Sequence, residues 1–367
     1  MPANGHKGKS WKTTRVADLL GIDYPIIQAP FGGLASQHLT ATVSNLGGLG
    51  SLGAVTLSGP AIREAVDEIH TLTNEPFAVN LWVSTADRQA SHIHSEVTEN
   101  KIRELARYYA ELGIEPPFKV EVRSQDFEAQ VHAVIDAGAP VLSFIYGVPP
   151  VEIVDECHKR AIRTIGTATT LEEAVVLEKA GIDLIVASGF EGGGHRGSFL
   201  RCPGDSLMGV FSLIPQVADA VDVPVIAAGG IADGRGLVAA LALGAEGVQI
   251  GTAFLPCAGS GASKAHRTAL LSKAVKRTNL TDAFTGRLAR GIENRLMDEL
   301  SDITSPPLPF PLQHALTQTI AAPASTQERG DLMPLWAGQS VSLCHHTQAS
   351  ELMAELIAKA DAFFPGC

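Results

Sequence analysis

Short runs of Val, Ile, Leu and Ala recur along the chain at roughly 20–40-residue intervals, each closed by Gly, Asn, Ser or Thr and followed by a stretch of helical period. They predict strands at 24–29, 48–52, 77–81, 141–145, 163–167, 184–187, 223–228 and 247–250. The runs at 184–187 and 223–228 are continuously apolar rather than alternating, as parallel strands buried on both faces require. Helices are predicted at 37–46, 60–71, 96–112, 150–161, 171–180, 213–221 and 234–243, with Gly181 and Gly244 as stops. Eight strand–helix units make an α/β chain of the TIM (β/α)8 barrel kind. Residues 118–122 also read as a strand, but they follow Pro116 and Pro117 and are assigned to an insertion after strand three, about 84–128. Beyond strand eight, the Pro-rich stretch 306–311 cannot continue the barrel. The expected organisation is a tail at 1–16, a barrel at 17–255, and a smaller, mostly helical lobe at 256–367 covering the upper face.

Composition narrows the partners. An apolar fraction of 45% supports a large core, and 36 glycines with only 5% aromatics suit many strand-to-helix turns. The net charge is −11, and Lys and Arg are scattered, which argues against nucleic acid and anionic membrane as partners. No run approaches the ~20 apolar residues of a membrane span, and no signal-type apolar stretch follows the basic residues 1–15, so a cytoplasmic location is expected. The five cysteines include no Cys-x-x-Cys pair and are expected to be free thiols. Adjacent residues point apart on a helix or strand, so His345-His346 reads as a surface pair, and no metal is expected.

The densest candidate chemistry lies at 189–197, Gly-Phe-Glu-Gly-Gly-Gly-His-Arg-Gly, just after strand six. Glycines let the backbone approach a bound group closely, and the ordinary histidine pKa of about 6.5 suits His195 to proton transfer. Arg196 could do electrostatic work there or face solvent in an ion pair. In barrels the site lies at the C-terminal strand ends, with a phosphate on the loops after strands seven and eight. Here those loops carry Gly229, Gly230, Gly251 and Thr252, a candidate phosphate cradle of open amides and one hydroxyl. Gln28 with Ala29 and Pro30, Asn80 and Thr167 outline the rest of the same mouth.

Gln28-Ala-Pro30, Val79-Asn80-Leu81, Ser143-Phe144, Gly166-Thr-Ala168, Gly193-Gly-His-Arg-Gly197, Ala227-Ala-Gly-Gly-Ile231 and Gln249-Ile-Gly-Thr-Ala-Phe254 occur in the order found in the nitronate monooxygenases, formerly 2-nitropropane dioxygenases, which the chain resembles. Phe284-Thr-Gly-Arg287, Pro311-Leu-Gln-His314 and Trp336-Ala-Gly-Gln339 are similar to the C-terminal part of that family's first class, so the likeness spans about 17–360. The resemblance implies FMN, with its phosphate on Gly230, Gly251 and Thr252 and its ring near Gln28, Asn80 and the backbone of Gly193 and Gly194; Ala29, Pro30, Ser188, Gly229 and Gln249 complete the expected cofactor-binding set. It implies oxidation of alkyl nitronates by O2 to a carbonyl compound and nitrite, through single-electron transfer to the flavin. His195 would be the catalytic base for nitroalkanes or an electrostatic stabiliser. A small-molecule substrate, O2 and a monomeric or homodimeric state complete the expectation.

The chain departs from the family pattern in the substrate pocket, which Phe31, Ile145, Phe310 and His314 are expected to line. Ile145 stands where many members have His, Ser188 replaces a frequent Gln, and Phe31 and Phe310 replace Met and Tyr. A more apolar pocket suits a bulkier substrate. Rival readings are a flavin-dependent enoyl-(acyl carrier protein) reductase, an NAD(P)H:quinone reductase, an IMP-dehydrogenase-like barrel with Cys202 as nucleophile, and a non-catalytic flavin-binding protein.

Overall fold

Strands β1 Ile26–Gln28, β2 Gly50–Gly53, β3 Phe77–Trp82, β4 Val141–Ile145, β5 Arg163–Ala168, β6 Leu184–Ser188, β8 Val225–Ala228 and β9 Gly247–Ile250 run parallel, with a two-residue strand, β7 Gly194–His195, outside their sheet. β9 pairs with β8 and β1, and a parallel bridge Ile27–Leu49 joins β1 to β2, so the eight strands close into the predicted barrel. The computed structural model describes residues 10–364 apart from 35, 85, 88, 123–124, 275–276 and 304. Residues 1–9 of the expected tail and Cys367 lie outside the described residues; Cys157, Cys202, Cys257 and Cys344 are free thiols. β1 and β8 start later than the apolar runs suggest, because Pro25 and Pro224 have no N–H for the ladder.

The pleat sorts side chains into two cores. Ile27, Ala78, Val141, Ile165, Val186 and Ile226 point inward and form one apolar cluster with Val16 and Leu20 of helix Arg15–Leu20, which packs on the barrel's N-terminal end. Their neighbours Ile26, Val79, Leu142, Ile185, Val225 and Val248 point outward into the larger core beneath the surrounding helices. Side-chain caps from Ser36, Ser58, Thr170 and Asp233 start four of those helices.

The region between β3 and β4 differs from expectation in two places. The helix expected over 96–112 is split into Ser95–Glu104 and Ala106–Leu112, and residues 118–122 form no strand, Phe118 being 95% exposed. Without a neighbouring strand to accept its ladder, an apolar alternation after Pro116-Pro117 has nothing to pair with. Asp126 caps an unforeseen helix, Phe127–Asp136, which packs on helix Gly59–Leu72 as the barrel's third helix. After β9, strands β10 Thr278–Thr281 and β11 Ala289–Ile292 form an antiparallel sheet with β7, so a segment remote in sequence pairs directly with Gly194 and His195. Among the described residues no helix is long and apolar enough to cross a membrane.

Candidate active site

One step above the apolar interior the same inward face turns polar. Asn80, Ser143, Thr167, Ser188 and Gln249 each follow an inward position by two residues on β3, β4, β5, β6 and β9. Asn80 Nδ2 donates to Ser143 Oγ at 2.9 Å. Thr167, Ser188 and Gln249 are half-buried, and among the described residues no protein group bonds their side chains. Polar side chains held there without partners suit a bound polar group. Gln28 is used otherwise: its amide donates to Ser51 O and accepts from Ser51 N, each at 3.1 Å, which knits the β1–β2 seam.

The expected phosphate cradle lies at the ends of β8 and β9. Gly229 and Gly230 both have positive φ, 104° and 70°, a turn that other residues rarely make. Among the described residues the amides of Gly230, Gly251 and Thr252 meet no protein acceptor. Ala29 and Phe31 border this cradle: a Cβ at Gly251 would lie 3.5 Å from Ala29 Cβ and 3.7 Å from Phe31 Cε1. A C-terminal strap, residues 336–340, closes over it. Gly338 N donates to Thr252 Oγ1 at 2.9 Å, Gln339 N to Glu191 O at 2.9 Å, and Ser340 Oγ to Gly230 O. A Cβ at Gly193 would sit 2.6 Å from Ala337 C, so the strap reaches its position only over glycine. Gly194, with φ 73°, has nothing within 4 Å of a Cβ and faces open space.

His195 stands between cradle and pocket, paired through β7 with Ala289 of β11. Its Nε2 lies 3.0 Å from Thr285 Oγ1. The Thr285 hydroxyl donates to Arg287 O at 3.0 Å and accepts from Arg287 N at 3.3 Å. A carbonyl can only accept, so the hydroxyl proton is committed there and Nε2 must be the donor to Thr285. The lone pair therefore sits on Nδ1, for which no protein partner exists among the described residues. Burial, with His314 and Arg287 nearby, pushes the imidazole pKa down to about 3, so the ring is neutral near pH 7.

An aromatic box surrounds this ring. Trp82, Trp336 and Phe310 have centroids 5.1, 5.5 and 6.5 Å from His195. Arg287, 8% exposed, lies 4.3 Å over the Tyr146 ring and 4.4 Å over Phe310. Asp87 pairs with it at 2.9 Å and also accepts from Phe310 N, so the insertion after β3 supplies the carboxylate that holds the guanidinium. Ile145 packs on the Trp82–Tyr146–Phe310 cluster and His314 on Phe310. Three of the four expected pocket residues thus gather around His195, while Phe31 lies on the cradle side.

Arg196 follows neither sequence reading. It is 2% exposed and donates to Ser188 O, Gly189 O and Ser206 O at 3.0, 2.8 and 3.1 Å, holding the turn that carries His195. Glu173, fully buried, does the same for the following turn by accepting from Phe199 N and Leu200 N. Cys202 is exposed in the loop beyond. Sequence reading assigned no role to Trp82, Ser143, Thr285, Arg287 or Trp336. The inward parity of Ser143 and Trp82 was a usable signal; nothing local links Thr285 to His195, ninety positions away.

Residues 13–359 match the family model described as nitronate monooxygenase. The chain is 41% identical over 349 residues to a Staphylococcus aureus protein named "Probable nitronate monooxygenase", covering 95% of this chain and 97% of that protein. Among solved structures, nitroalkane oxidase from Streptomyces ansochromogenes superposes with a TM-score of 0.85 at 35% identity, covering 95% of this chain and 99% of that one. FabK from Thermotoga maritima superposes with a TM-score of 0.75 at 25% identity, covering 96% and 97%.

Proposed function

Because the chain belongs to the nitronate monooxygenase family, we propose that this oxidoreductase uses FMN to oxidise alkyl nitronates with O2, giving a carbonyl compound and nitrite. The residues present fit the cofactor. Gly230, Gly251 and Thr252 offer free amides and a hydroxyl to a phosphate, and Asn80, Thr167, Ser188 and Gln249 offer hydrogen bonds to a heterocyclic ring. Gly194 leaves room for it against backbone. When bound, FMN supplies the single-electron chemistry that links substrate to oxygen.

The observation that carries the reading is the hydrogen bond from His195 Nε2 to Thr285, which, in a ring that burial keeps neutral, leaves the Nδ1 lone pair free. A neutral imidazole is a base rather than a charge stabiliser. The positive charge beside it belongs to Arg287, which suits the anionic oxygens of a nitronate. With a neutral nitroalkane, Nδ1 takes the α-proton, and the C–H pair stays behind as nitronate. The new anion then offsets the desolvation that otherwise disfavours the imidazolium. The aromatic box excludes water around both charges.

His195→Asn separates the two substrates. Turnover of neutral nitroalkanes should fall by about 10²–10⁴-fold, while preformed nitronates keep most of theirs. Equal loss on both substrates, or none on either, contradicts the base assignment. Anaerobic mixing with NADH tests the rival reductases, since rapid bleaching of the flavin would place the chain among nicotinamide-dependent enzymes.

A further inference from the structure

From the convergence of His345 and His346 on Glu355 of helix Ala349–Phe363, we infer a binding site for a divalent transition ion of the zinc type. The two histidines were expected to diverge, but they occupy an irregular stretch after the turn Gln339–Leu343, where neither helical nor strand geometry separates them. Their ring centroids are 4.1 Å apart. Both Nε2 atoms face one oxygen, at 3.3 Å for His345 and 2.6 Å for His346 from Glu355 Oε2.

The outer nitrogens decide what those Nε2 atoms are. His345 Nδ1 lies 2.8 Å from Leu343 O, which can only accept, so Nδ1 carries the proton and Nε2 the lone pair. His346 Nε2, 2.6 Å from Glu355 Oε2, is the donor in that hydrogen bond, because a carboxylate can only accept, while its Nδ1 lies 3.7 Å from a carboxylate oxygen of Glu351. An outer acceptor on Nδ1 with Nε2 turned inward is how metal-binding histidines are held. A cation entering between the rings displaces the proton from His346 Nε2, so that both Nε2 lone pairs and the carboxylate oxygen become its ligands. Two imidazole nitrogens and one carboxylate favour zinc, copper or nickel over calcium or magnesium, and leave a fourth tetrahedral position to water.

The site also has a place in the enzyme. It ties the segment that follows the cradle strap to the C-terminal helix, so a bound ion cross-links the two. Ala258 N, donating to Thr347 O at 2.8 Å, fixes the next residue to the loop beyond β9.

The test uses the purified flavin-loaded protein, stripped with chelator and titrated with zinc ion by equilibrium dialysis. One ion per chain is expected, with X-ray absorption showing only nitrogen and oxygen ligands at about 2.0–2.2 Å. His345→Ala and Glu355→Gln should each weaken binding by at least about tenfold. The His345 side chain is 62% exposed, so its removal leaves the fold intact, with unchanged circular dichroism as the control. Absence of stoichiometric zinc, sulfur ligands in the absorption spectrum, or binding by either variant as tight as that of the unaltered protein overturns the site.

Discussion

Thr285→Val tests the reasoning most sharply, because it deletes one hydroxyl and almost no volume. Two donors lose their acceptor, His195 Nε2–H and Arg287 N–H, which lie 3.0 and 3.3 Å from Thr285 Oγ1. Thr285 is 1% exposed, so water does not replace the bond readily. A buried donor left unpaired costs about 1–3 kcal/mol. The ring escapes that cost by moving its proton to Nδ1, which destroys the lone pair that faces the pocket. A shift of about 1.4 kcal/mol in the tautomer balance reduces the reactive form about tenfold. Steady-state kinetics should therefore show kcat/KM on a neutral nitroalkane falling by about tenfold, with little change on the preformed nitronate. Nitrogen-15 spectra of the ring should show the protonated nitrogen changing from Nε2 to Nδ1, and Thr285→Ser should restore both properties. An unaltered tautomer signature with unaltered nitroalkane turnover refutes the argument, and equal loss on both substrates assigns Thr285 a merely structural part.

Three further expectations follow from the same geometry. Gly193→Ala forces a Cβ to within 2.6 Å of Ala337 C, and overpacking of about 1–3 kcal/mol should displace the strap and weaken FMN binding about tenfold; full flavin retention on desalting argues against the strap as part of the cradle. Glu173→Gln turns an NH2 toward donors among Thr169 N, Thr169 Oγ1, Phe199 N and Leu200 N, and should cost about 3 kcal/mol in urea unfolding; a loss under about 1 kcal/mol contradicts it. Burial pushes His266 down to about 4 and His195 to about 3, whereas the unfolded chain holds both near 6.5. Between those values the unfolded chain binds the extra protons, so stability rises with pH and is lost on acidification from about 6.5, by up to about 1.4 kcal/mol per unit for each ring. Urea midpoints at pH 7 and pH 5 measure this, and a slope that His266→Gln leaves unchanged would exclude His266 as a source.

Local sequence settled what depends on neighbours in the chain. Continuous apolar runs such as 184–187 must be doubly buried, so the eight barrel strands were legible from their period. The Gly229-Gly230 turn was equally legible, since positive φ at both positions needs glycine. The alternation at 118–122 failed because a strand is a property of two segments, and no second one lies beside it. The tertiary fold decided the chemistry. It set the neutral state of His195 through burial and its tautomer through a threonine ninety positions later, and it turned Arg196 inward while Arg287 supplied the positive charge beside the pocket. It also brought His345 and His346 to one oxygen of Glu355. Protonation, partnership and ligation arise where distant segments meet, and periodicity along the chain carries no record of those meetings.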